Sequence, residues 1–146
     1  MADIPEEHLN EELLDRLLAS ASIEQYLDEG LVSARTLTDY LFDRMEAHDL
    51  RRADVVRASG LNATVVYDIF SGKSRPGRDH AIMLAFGLKC TLRETQRLLR
   101  LAGVSELWCK QRRDAIIIWC IRNGFDRIAT DDELYRMGEA TLLPAD

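Results

Sequence analysis

Backbone breakers are scarce in this chain. Three prolines and eight glycines are spread over 146 residues, so long stretches can run as uninterrupted helix. No long stretch shows strand alternation either, and the expectation is an all-α protein. The three cysteines, Cys90, Cys109 and Cys120, lie far apart with no CxxC pair, which argues against a disulfide framework or a structural zinc site. An odd thiol count with no legible secretory leader predicts a reducing, cytoplasmic setting. His8, His48 and His80 are equally scattered, so neither metal nor cofactor is expected. The longest apolar run, Ala115–Ile121, has seven residues. A bilayer needs ~20, so no membrane partner is expected and the run reads as a buried core helix. Catalytic signatures are missing too: no nucleophile with a base partner, no phosphate-cradling glycine loop, no telling pair of carboxylates. The chain is expected not to be an enzyme.

What is present is charge, unevenly spread. The formal net charge is -6. Residues 1–35 hold nine acidic and two basic residues, residues 36–90 seven acidic and eight basic, and residues 91–146 nine of each. The acidity therefore sits in an N-terminal arm, and the middle segment alone has a positive balance. Net charge does not exclude nucleic acid, because phosphate meets a local basic face rather than the total.

Helical periodicity runs along the chain. Leucines at 9, 13, 14, 17 and 18 form an amphipathic stripe expected to pack on a core. Ser22 and Gln25 have capping-box spacing, with Gly30 as a stop. Further helices are expected from Thr36 to about Asp49, Arg52 to Ala58, Asn62 to Phe70 and Arg78 to Phe86. Three more are expected over 91–103, 111–123 and 127–137. Arg93, Arg97 and Arg100 fall on one basic face, and Asp131-Asp132-Glu133 reads as solvated surface. A faint echo recurs at an offset of 35: Thr91 with Asp126, Thr95 with Thr130, Leu99 with Leu134, Gly103 with Gly138. Trp108, Trp119 and Cys120 are expected in the core, with a dimer interface as the other reading.

The stretch VVRASGLNATVVYDIFSGKSRP, residues 55–76, has the spacing of a helix-turn-helix. Two short helices joined by a tight turn let the second enter a major groove. Gly60 supplies the residue that tolerates positive φ. Val55, Leu61, Val66 and Ile69 supply the inner apolar face, and Asn62 caps the second helix. With Leu50, Gly72-Lys73 and Pro76, these residues make 36–90 resemble the lambda-repressor-like (Cro/cI, XRE) helix-turn-helix domain. RASGLN, FSGKSRP and ETQRLLRLAG carry a closer likeness to Firmicute-type XRE regulators.

The resemblance implies a helix-turn-helix bundle with an N-terminal helical arm (1–35), the helix-turn-helix domain (36–90) and a C-terminal helical extension (91–146) packing on the same core. It implies a sequence-specific transcriptional regulator, usually a homodimer, binding double-stranded DNA. By resemblance, Arg52, Lys73 and Arg75 would meet phosphate and Ala63, Thr64, Tyr67 and Asp68 would face the groove. Arg51 and Arg78, which also bracket the second helix in sequence, join the phosphate set, and Asn62, its cap, is counted among the DNA-binding residues. The chain departs from the family pattern at Arg52, usually glutamine, at Val56, often alanine, and at Ser59, usually apolar. Asp68 would repel phosphate, although a carboxylate can accept from a cytosine amino group. The other reading is a non-enzymatic adaptor or antitoxin-like partner that keeps the fold and docks a protein through its acidic arm.

Overall fold

The computed structural model describes residues 10–28 and 36–144, and every regular element among them is helical. By contact the chain divides into residues 1–35 and 36–146. In the first unit α1 (Asn10–Ala19) and α2 (Ile23–Asp28) pack together. Ser22 Oγ accepts from the Gln25 amide, but the return bond to Gln25 comes from the Ala21 amide. Of the leucine stripe, Leu14, Leu17 and Leu18 are exposed and Leu13 is half-buried, and on α2 Ile23 and Leu27 are exposed too. Leu9 and Gly30 lie outside the described residues.

The second unit holds α3 (Leu37–Ala47), α4 (Arg52–Ser59), α5 (Ala63–Phe70), α6 (Arg78–Gly87), α7 (Leu92–Leu101), α8 (Arg112–Arg122) and α9 (Arg127–Arg136). Local chemistry sets their ends. The Thr36 and Thr91 hydroxyls accept from the amides of Asp39 and Glu94, and the threonine amides donate back to the Asp39 and Glu94 carboxylates, a device that satisfies otherwise orphaned N–H groups. Asp126 accepts from the Ala129 amide.

α6 is the hub. Ala81, Ile82, Met83, Leu84, Ala85 and Gly87 are all buried, as befits a helix surrounded by others. It packs on α4, α7 and α9. Tyr40, Leu41, Val55, Val66, Ile69, Phe70, Leu98, Leu99, Ile117 and Leu134 close one core around it, each large aliphatic or aromatic side chain contributing about 1.5–3 kcal/mol. The approach of α4 is close. A Cβ on Gly87 would fall 2.8 Å from Ser59 Cβ and 2.9 Å from the Val55 carbonyl. This explains the small residue at 59. Its hydroxyl, fully buried, donates to the Val56 carbonyl and accepts from the Leu61 amide at 3.2 Å.

The 35-residue echo has a structural meaning. Thr91 and Asp126 both cap, Thr95 and Thr130 are both buried, and Leu99 and Leu134 are both fully buried. Gly103 and Gly138 both end their helices at φ near 77° and 75°. α7 and α9 are two copies of one local design.

Two expectations about buried and exposed groups need correction. Trp108 and Trp119 are 55% and 53% exposed rather than core, and in the apolar run only Ile117 and Cys120 are fully buried. Asp131 is buried instead of solvated. Its carboxylate accepts from the Leu142 and Leu143 amides and pairs with Arg127, which pins the C-terminal segment. On α7, Arg93 and Arg100 are exposed, as expected of a solvated face, with Arg100 paired to Glu106, while Arg97 is half-buried and lies 5.8 Å over the Tyr40 ring.

Candidate nucleic-acid interface

The candidate interface is made of α4, its turn and α5. The Arg51 amide donates to Asp54 Oδ2 at 2.9 Å, which starts α4 and leaves the Arg51 side chain exposed. Gly60 ends it in the left-handed region at φ 81°. A side chain there is disfavoured twice: the conformation resists one, and a Cβ would lie 2.6 Å from Arg127 Nε, so that the arginine would have to shift. The α4–α5 turn is thus backed by an arginine from α9. Asn62 Oδ1 then accepts from the Val65 amide at 2.9 Å, opening α5.

α5 divides cleanly. Val66, Ile69 and Phe70 are buried, while Asn62, Ala63, Thr64 and Tyr67 are exposed and Asp68 is half-buried. The Arg52 guanidinium lies 5.1 Å from the Tyr67 ring centre. A cation from the start of α4 therefore rests on the exposed face of α5. After α5, Gly72 adopts φ 81°, and the Lys73 and Ser74 amides donate to the Asp68 carbonyl at 2.9 and 3.2 Å. That turn satisfies the helix end and leaves Lys73 and Arg75 exposed, with Pro76 buried beneath. Arg51, Arg52, Lys73 and Arg75 make no ion pair with a described residue.

Arg78 does not join them. Its Nε donates to the Ser105 carbonyl, Nη2 to the Glu106 carbonyl, and both terminal nitrogens grip the buried Asp114 carboxylate at 3.0 and 2.7 Å. Four of its five N–H groups are spent on structure. The next residue, Asp79, grips Arg113 at 2.9 and 3.1 Å, so consecutive opposite charges on α6 and α8 lock the two helix starts together. Burial alone would raise the Asp114 carboxyl. Hydrogen bonds from Arg78 and the Trp108 amide outweigh it and hold the group below the usual carboxylate range.

The sequence reading missed Arg127 behind the turn and the buried role of Ser59. Only the departure at 59 signalled either. Among the described residues no group of three or more His, Cys, Asp or Glu is placed to hold a metal ion, and no helix is long and apolar enough to cross a membrane. Compared with family models, with curated proteins and with solved structures, the chain matches none.

Proposed function

We propose that the chain is a helix-turn-helix DNA-binding regulator that lays the exposed face of α5 in the major groove. The observation that supports this most is the position of Arg52 on Tyr67. It joins the start of α4 to the outer face of α5, with Lys73 and Arg75 following on the exposed loop. Such cations supply the phosphate contacts that dominate affinity. Base-reading groups are fewer. Asn62 has its carbonyl oxygen committed to capping, leaving its amide N–H₂, the Thr64 and Tyr67 hydroxyls and the Asp68 carboxylate as the polar readers. This predicts binding carried mainly by phosphate contacts. Two copies reading paired half-sites are the usual way to gain site size, and a homodimer is part of the proposal.

The test is fluorescence anisotropy on a labelled genomic duplex pool across a salt series. Affinity is expected to fall with salt at a slope of about -0.9 per phosphate contacted. The triple change Arg52→Ala, Lys73→Ala, Arg75→Ala is expected to flatten that slope by about 2–3 units without altering unfolding. Absence of salt-dependent binding at low ionic strength would refute the proposal. It would favour the protein-interaction reading, which rests on the exposed leucines of α1 within an acidic arm.

A further inference from the structure

A groove of 490 Å³ opens between the last turn of α4, the end of α6 and the α8–α9 turn. Phe86, Ile121, Phe125 and Ile128 supply apolar lining, and Arg57 and Lys89 supply charge. None of the groups facing DNA in the proposed function contributes to it. A second hollow of 450 Å³ shares Arg57, Ala58 and Lys89, so these residues stand where the two hollows meet.

The charges in the lining are not equivalent. Arg57 is paired with Asp54, Arg127 with Asp131, and Asp126 is occupied in capping α9. Lys89 makes no ion pair with a described residue. It is also held at φ 56°, where α4, α5, α7, α8 and α9 are followed by glycine in the same left-handed region and only Asp49, after α3, is another non-glycine residue among those described. A lysine rarely adopts this region, and strain of this kind gathers at ligand sites. Burial pushes the Cys90 thiol up to about 12, so it lines the groove as a neutral group. The volume lies in the range of about 300–1,000 Å³ typical of small-molecule sites, which are apolar with few placed polar groups.

We propose that this groove binds a small amphipathic carboxylate, its apolar body against Phe86, Ile121, Phe125 and Ile128 and its carboxylate on Lys89 and Arg57. Binding by itself does not depend on the DNA reading. Its consequence does: Arg127 lines the groove and also backs Gly60, so an occupant that displaces Arg127 alters the support of the α4–α5 turn.

Trp119 reports on the site, because its ring meets Phe125 edge-on at 5.3 Å. The full chain carrying Trp108→Phe would be titrated with octanoate and 4-phenylbutyrate, and with octanol and 4-phenylbutyramide as uncharged partners. A saturable change in Trp119 emission is expected for the acids, at least about tenfold tighter than for the uncharged partners. Lys89→Gln should erase that advantage, Lys89→Arg should restore it, and Ile128→Glu should abolish binding with the thermal midpoint preserved. The site is overturned by equal affinity for acid and uncharged partner, by an unaffected Lys89→Gln variant, or by no saturable response up to about 10 mM. Light scattering adds one more way to fail: a dimer that Ile128→Glu dissolves would make the groove an interface between copies. A duplex titration with the acid present then separates the two ideas. Emission change without altered duplex affinity removes the coupling and keeps the site. Duplex binding absent both with and without the acid removes the proposed function, and the site is then judged by Trp119 alone.

Discussion

Arg78 and Arg75 lie three positions apart and have opposite fates. Arg75 is exposed on the loop, while Arg78 is tied to Asp114 and two carbonyls. Removing one partner of a buried pair leaves an uncompensated charge, which typically costs about 3–5 kcal/mol. Arg78→Ala is therefore expected to lower unfolding stability by about 3 kcal/mol or more in urea titrations. Arg52→Ala, Lys73→Ala and Arg75→Ala should each stay within about 0.5 kcal/mol. Equal stability for all four would contradict the assignment of Arg78 to the frame. Gly60→Ala should also destabilise the chain, by more than about 1 kcal/mol, because it meets both a positive φ and Arg127. Lys73 and Arg75 were legible in the sequence as loop cations. Arg78 was not, since its neighbour Asp114 is 36 residues away and sequence proximity placed it with the wrong group.

Helices are joined here by polar pins as well as by apolar faces. Glu94 on α7 pairs with Arg44 on α3 and hydrogen-bonds His48 Nε2 at 3.1 Å. Burial would raise its carboxyl from the ordinary 4.5. Hydrogen bonds from the Thr91 amide, His48 and Arg44 reverse that and hold it lower. Asp114 behaves alike from an ordinary 3.8. For both, the folded form binds its proton less readily than the unfolded chain. Their stabilisation is present above the ordinary values and is lost as pH falls through the lower folded ones. The urea midpoint is expected to decline steadily between about pH 5 and about pH 3, and Glu94→Gln should make the decline shallower. A midpoint independent of pH in that window would show that these pins carry no net stabilisation. Helix positions were readable to within a residue or two because caps and left-handed glycines are local signals. The burial of Asp131 was not, because its partners include amides of Leu142 and Leu143 at the far end of the chain.

At the scale of the whole molecule, charge is segregated. Residues 36–146 carry a formal charge of +1, and the -6 of the full chain comes from the arm. Those residues form a compact unit of their own, so a chain lacking 1–35 is expected to unfold in a single cooperative step. At low salt it should bind duplex more tightly than the full chain, with the gap closing as salt screens the arm. A persistent gap at high salt would mean that the arm acts by contact and not by charge. The sequence by itself determined the helices, their caps, the αL glycine between α4 and α5 and the segregation of charge. Each depends on residues within a turn or two of one another. The tertiary structure alone decided which charges are spent inside, where α9 backs the turn, that both tryptophans stay outside and that a groove opens at Lys89. Those outcomes depend on which distant side chains are brought within hydrogen-bonding or van der Waals reach, and no local pattern encodes that.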